Sequence, residues 1–169
     1  ITISSIAQED TTASFGDKVT RLFKADSSNV EENLLISDAE VLVGDNPIKN
    51  AQVIVYKGDT SIDTVYTNEK GTFNLKLPFD HLYVLEFSKA GYVTKKLEVD
   101  ATGMLAEDKA GGYDLGRFKM SLFRTTKDMD LSVYETPIAR YYYDGRMQQF
   151  QVDRKHLKKK QKEIEKVQE

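Results

Sequence analysis

The residues able to do acid–base, metal or redox chemistry are few in this chain of 169 residues. It has two histidines, His81 and His156, and no cysteine. His81 sits among turn residues and His156 in a polar, helix-forming stretch, with no third ligand spaced as a zinc site requires, so both read as solvated side chains. Tyr141, Tyr142 and Tyr143 follow one another, and on a strand neighbouring residues point to opposite faces, so the three cannot converge on one ion. They read as an aromatic strand covering core and edge. Asp100, Glu107, Asp108 and Asp114, and separately Asp128 with Asp130, offer the hard oxygen ligands that calcium takes. Neither set has the regular D-x-D-x-D-G spacing of a calcium loop, and both read as solvated loop charges. No Gly-x-Ser-x-Gly elbow, phosphate loop or dinucleotide fingerprint occurs. The expectation is therefore a protein that is not an enzyme, with no catalytic, cofactor-binding or metal-binding residue, no cofactor and no small-molecule substrate.

Charge narrows the partners. The net charge of −3 is too small to imply a nucleic-acid partner. A basic run near the C-terminus, Arg154, Lys155, Lys158, Lys159, Lys160 and Lys162, has the local charge to attract anionic lipid headgroups or acidic proteins. Read at helical spacing, these charges are expected to spread around the cylinder as a solvated surface. No run of 18 apolar residues exists, so no helical transmembrane segment is expected. The absence of cysteine excludes disulfides, thiolate metal sites and cysteine lipidation within these residues.

The elements that must position everything else are strands. Ala51, Val53 and Val55 alternate with Gln52, Ile54 and Tyr56; Phe73, Leu75 and Leu77 with Thr72, Asn74 and Lys76; Tyr83, Leu85 and Phe87 with Leu82, Val84 and Glu86. A period of two sends one set into a core and leaves the other half wet. Gly58 to Ser61 and Asn68 to Gly71 supply the reversals, and Pro78, lacking an N–H, ends its strand. Leu34 to Val43 reads as the first strand, with Ala39, Val41 and Val43 on one face. Tyr92 to Val99 reads as an edge strand, since Lys95 and Lys96 would discourage further pairing there. A long acidic connection from Asp100 to Gly116 leads to a last strand, Leu115 to Phe123. This spacing predicts an all-β, antiparallel Greek-key sandwich of about seven strands. Its core would hold Val53, Val55, Phe73, Leu75, Tyr83, Leu85, Phe87, Phe118 and Leu122.

These residues resemble the carboxypeptidase regulatory-like domains, which have a transthyretin-like β-sandwich. The pattern appears as Val41, Val43, Gly44, Asp45, Pro47, Ala51, Val53 and Val55. It continues through Thr67, Asn68, Gly71, Phe73, Leu75 and Pro78, and closes on Tyr83, Leu85, Phe87, Ser88, Lys89, Gly91 and Tyr92. The resemblance spans roughly Leu35 to Phe123 and is of the bacterial envelope type. It implies a non-catalytic accessory or adhesive module, as these domains look like additions to outer-membrane transport, secretion and motility machines. Three enzyme families with a related sandwich fit less well. Transthyretin-like hydroxyisourate hydrolases end in Tyr-Arg-Gly-Ser, whereas this sequence ends Lys166-Val167-Gln168-Glu169. Metallocarboxypeptidases join the sandwich to a catalytic domain too large for these residues. Intradiol dioxygenases hold iron with two tyrosines and two histidines, and no histidine pair lies near Tyr141 to Tyr143.

The remaining segments set the expected organisation. Residues 1–7 (ITISSIA) read as a signal-peptide remnant, with Ser5-Ile6-Ala7 before Gln8 suited to cleavage. Residues 8–34 form an N-terminal arm, 35–124 the sandwich, 125–151 a strand and loop extension, and 152–169 a C-terminal charged helix. Leu131 to Tyr134 and Ile138 to Tyr143 read as strands of the extension. Val19, Leu22 and Phe23 on the arm, and Leu157, Ile164 and Val167 on the helix, form stripes too narrow to be stable alone. They are the candidate partner-docking residues. The expected protein is a structural, protein-binding subunit of an exported, outer-membrane-associated or periplasmic assembly. The alternative is a carbohydrate- or peptidoglycan-binding module using Tyr56, Tyr66 and Tyr92.

Overall fold

The computed structural model describes residues 32–168. Eleven strands are arranged in two sheets: β1 (Asn33–Val43), β2 (Asn46–Pro47), β3 (Gln52–Lys57), β4 (Thr60–Tyr66), β5 (Thr72–Pro78), β6 (Leu82–Ser88), β7 (Lys95–Asp100), β8 (Tyr113–Asp114), β9 (Lys119–Leu122), β10 (Ala139–Asp144) and β11 (Gln149–Val152). A one-turn helix, α1 (Ala106–Lys109), a 3-10 turn at Ser132–Tyr134, and the C-terminal helix α2 (Arg154–Gln168) complete the described chain. One sheet has five strands, β1 pairing with β5 and β2 along one edge and with β8 and β9 along the other; the second has six, in the order β11-β10-β7-β6-β3-β4. The fold is an all-β sandwich, as the alternation predicted.

Local chemistry explains why β1 serves both ends of its sheet. Leu34 and Ile36 are buried at even positions, but Ala39 and Val41 are buried at odd ones. One extra residue between Ile36 and Ala39 restores the inward set after it, because a strand's faces alternate strictly. Asp38 takes φ +51° at this bulge. Its N–H donates to Asn74 Oδ1 at 2.7 Å and its carboxylate meets Arg117 at 3.2 Å. A short polar side chain tolerates that left-handed backbone better than most.

The turn before β5 is built by side chains rather than by length. Asn68 Oδ1 accepts hydrogen bonds from the N–H groups of Lys70 and Thr72, at 2.9 and 3.1 Å. Thr67, buried within the sandwich, accepts from Ala51 N–H at 2.9 Å and donates to the Ile48 carbonyl at 2.6 Å. Gly71 closes the turn at φ +71°, and a Cβ there would lie 2.6 Å from Pro47 Cβ. These contacts tie the β4–β5 loop to the chain leaving β2. Inside, Phe73, Phe87 and Phe118 form an edge-to-face triangle with centroids 5.8 to 6.2 Å apart. All nine expected core residues join this cluster, Phe118 as a half-buried member.

Several expectations are revised. The hairpins are antiparallel, but β8 and β9 run parallel to β1, and β10 runs parallel to β7. Parallel pairing needs a long connection, and the stretches 44–112 and 101–138 provide it. β7 consequently lies inside its sheet rather than at an edge. Its lysines are accommodated differently: Lys96 pairs with Glu86 at 3.5 Å, and Lys95 Nζ donates to the Ser121 carbonyl at 2.6 Å. The predicted strand Leu131 to Tyr134 is instead the 3-10 turn, begun by Asp130 accepting from Ser132 N–H at 2.9 Å. That contact holds the Asp130 carboxyl below its ordinary pKa. The strand Ile138 to Tyr143 forms as β10 and is followed by β11, which the sequence reading lacked.

Candidate functional site

The outer face of the six-stranded sheet carries the other half of each alternation. Register places Tyr56 beside Val84, Val84 beside Glu98, and Glu98 beside Arg140. A second row runs Leu82, Asp100, Tyr142 and Gln151. A third joins Ile54 to Glu86 and Lys96. Tyr66 lies opposite Gln52, whose Nε2 donates to the Tyr66 hydroxyl at 3.0 Å. This face holds Ile54, Tyr56 and Val84 half-buried and Tyr66, Leu82 and Tyr142 exposed, the last three at 58%, 43% and 40%. Two ion pairs frame it, Glu86 with Lys96 at 3.5 Å and Glu98 with Arg140 at 3.1 Å.

Two shallow grooves meet on this face at Glu86, Lys96 and Glu135. One, of about 390 Å³, is lined by Tyr56, Asp59, Val84 and Pro137; the other, of about 250 Å³, by Tyr92, Val93, Leu131 and Tyr134. Lys96 Nζ donates to the Glu135 carbonyl at 3.1 Å, so the cation that both grooves share is already committed. The face thus combines aromatic, aliphatic and ion-paired side chains on an open surface.

At the far end of the sheet the extension folds back onto the domain. Lys95 lies over the Phe123 ring at 4.8 Å and near the Tyr134 ring at 5.9 Å. Burial lowers its pKa, and the rings and the Ser121 carbonyl receive its charge. Val93, Val133 and Tyr134 form a small second core, against which Phe123, Ile164 and Val167 pack. Leu157, half-buried, lines a groove together with Phe118, Ile138 and Tyr141. Of the candidate docking residues, Leu157, Ile164 and Val167 thus meet their own domain, while Val19, Leu22 and Phe23, with the rest of the arm and the signal-peptide remnant, lie outside the described residues.

Asp153 starts α2, accepting from the N–H groups of Lys155 and His156 at 3.0 and 2.9 Å. The His156 contact leads in holding its carboxyl below the ordinary value. His156 Nε2 is 2.7 Å from the Pro137 carbonyl, so this histidine is half-buried and bonded, not solvated as expected. His81 sits edge-on to Tyr83 at 6.0 Å. Tyr141 and Tyr143 point inward and Tyr142 outward; Tyr143 packs on Tyr113 and Phe150 and donates to Asp108. Burial, then that carboxylate, pushes Tyr143 up to about 12. Asp108 is thereby a hydrogen-bond partner rather than a free loop charge. Among the described residues no three His, Cys, Asp or Glu side chains are grouped to hold a metal ion. Tyr92 packs against the core and under Arg124 and lines the smaller groove, whereas Tyr56 lines the larger one. Reasoning from sequence missed Leu82, Val84 and Tyr142 as a shared surface; the signal available was their outward parity, which does not give the order of strands.

The charges of α2 are not spread around it. At about 100° per residue, Arg154, Lys155, Lys158, Lys159, Lys162 and Lys166 fall within an arc of about 140°, and all six are exposed. Among the described residues Glu165 is the one exposed acid within that arc. His156, Leu157, Lys160, Glu163, Ile164 and Val167 occupy the opposite side and are half-buried or buried. Lys160 is turned inward, 3.3 Å from the Val133 carbonyl and 2.9 Å from Glu163, whose carboxyl it holds below the ordinary value.

No protein-family model matches the chain. No curated protein matches it either. Among solved structures, the Bacillus anthracis TIE protein is similar at 21% identity and a TM-score of 0.41, over 55% of this chain and 17% of that one. The group B streptococcus pilus 2b backbone protein is similar at 13% identity and a TM-score of 0.35, over 56% of this chain and 42% of that one. This chain therefore spans less than half the length of either. Likeness at this level carries nothing about function.

Proposed function

We propose that the chain is a carboxypeptidase regulatory-like sandwich serving as a non-catalytic, protein-binding subunit of an exported assembly at the bacterial envelope. The observation that carries the binding role is the open sheet face, with Tyr66, Leu82 and Tyr142 exposed around a half-buried floor of Ile54, Tyr56 and Val84. Aromatic and aliphatic side chains of this kind form the anchors of protein interfaces. The family reading is supported by the Asn68 and Gly71 turn, which puts the Thr-Asn-x-x-Gly pattern to a defined structural use. Docking by Val19, Leu22 and Phe23 and export to the periplasm or outer membrane belong to the same proposal.

The test is affinity purification of the full chain from envelope fractions, beside a Leu82→Asp/Tyr142→Asp variant and a version lacking residues 1–31. Both substitutions are at exposed positions, so circular dichroism should show an unchanged fold. Recovery of defined envelope proteins by the parent and not by the double variant is the expected result. Equal recovery by all three proteins would refute binding through either surface. A carbohydrate-binding role is the second reading, because Tyr56, Tyr66 and Tyr142 share this one face. Retention on peptidoglycan with no recovered protein would favour it.

A further inference from the structure

We infer that the outward face of α2 is a docking surface for an anionic phospholipid bilayer. The six bases Arg154, Lys155, Lys158, Lys159, Lys162 and Lys166 run along about 18 Å of helix at 1.5 Å per residue, all on the exposed side. Among the described residues, Lys159 alone of these has a carboxylate within reach, Glu163 at 3.9 Å. The last eighteen residues hold seven Lys and Arg against four Asp and Glu, whereas the chain as a whole carries −3. The helix is therefore a local cationic strip on an acidic protein, and its attraction is directional.

The makeup of the strip selects the partner. A specific protein interface needs an apolar or aromatic centre, and the exposed positions Arg154, Lys155, Lys158, Lys159, Gln161, Lys162, Glu165 and Lys166 include none. Ile164 and Val167 pack on the Val133 and Tyr134 cluster and Leu157 is half-buried on the same side, so the helix cannot sink into acyl chains as a free amphipathic helix does. What remains is peripheral adsorption by charge alone. Anionic headgroups present negative charge in a plane, and the strip meets a plane along its whole length without any change in the fold. Each base near such a surface contributes roughly a fivefold gain in partitioning. This surface is on a different element from the sheet face and stands independently of the binding role given to that face.

The experiment is co-sedimentation of the full chain with vesicles of phosphatidylcholine alone and of phosphatidylcholine with phosphatidylglycerol, at low and high salt. The expected result is binding to the anionic vesicles only, weakened strongly by salt. Lys155→Gln/Lys158→Gln/Lys162→Gln should reduce it about 100-fold, with unchanged helical ellipticity. Lys57→Gln/Lys70→Gln/Lys127→Gln makes the same change in net charge at exposed positions elsewhere and should leave it intact. Equal binding to neutral vesicles, or equal loss in both triple variants, would overturn the inference. So would tighter capture by polyglutamate or duplex DNA at matched salt, which would assign the strip to an acidic protein or a nucleic acid.

Discussion

Replacing Gly71 by Ala should cost far more than replacing any other turn glycine tested beside it. Two effects add. At φ +71° an L-residue is in the left-handed region, which costs about 1–2 kcal/mol. The new methyl would then stand 2.6 Å from Pro47 Cβ, 2.9 Å from Ile48 N and 3.0 Å from Pro47 Cα. Two of those three atoms are backbone, and Ile48 N–H is committed to the Val41 carbonyl at 2.9 Å. Relief requires the β4–β5 turn to move away from the chain after β2, and overpacking of this kind costs about 1–3 kcal/mol. The sum is about 2–5 kcal/mol. Gly44→Ala supplies the control, because Gly44 has φ +61° and nothing within 4 Å of its Cβ position. It should lose only the left-handed contribution. Urea denaturation followed by circular dichroism measures both; with an m-value of about 1–3 kcal/mol/M, the Gly71→Ala midpoint should fall by roughly 1–2 M. A midpoint shift no larger than that of Gly44→Ala, at equal m, would show that the close approach to Pro47 does not exist in solution.

Thr67→Val keeps the shape but removes the acceptor for Ala51 N–H and the donor to Ile48; the buried N–H left behind should make the variant about 1–3 kcal/mol less stable by the same assay. Phe87→Ala opens a cavity within the aromatic triangle and should cost about 3–5 kcal/mol, read from urea midpoints. Tyr143, held neutral to about pH 12 in the fold against an ordinary value of 10.0, should contribute stability that is complete below pH 10 and lost as pH rises toward 12. Urea midpoints taken through that window should fall less steeply for Tyr143→Phe, with a residual slope from the buried Tyr83 and the half-buried Tyr141, whose values are also raised. Asp153 works in the opposite sense. Its depressed carboxyl contributes above its unfolded pKa, and the contribution is lost as pH falls through the folded one. Helical ellipticity of the parent should therefore fall on acidification, whereas Asp153→Asn, a neutral cap, should fall less.

The sequence by itself determined the strands and the inward side of most of them. Alternation at positions 53/55, 73/75/77 and 83/85/87 is a local property, because a pleated backbone sends successive side chains to opposite faces. The Thr67 to Gly71 turn was equally legible, since its residues act on neighbours within a few positions. The cationic arc of α2 was also present in the spacing, at about 100° per residue, although the basic run was read as spread around the helix; packing of Ile164 and Val167 on Val133 and Tyr134 fixed which side faces out. Tertiary structure alone decided the order of strands. Lys95 and Lys96 look like edge residues until β10, more than forty positions later, pairs in parallel with β7 and the two charges find rings, carbonyls and Glu86. The shared face of Tyr56, Leu82, Val84 and Tyr142 follows from the same pairing. Periodicity gives the direction of each side chain, but neighbourhood between distant strands depends on which long loops close, and that is settled by the free energy of the whole core.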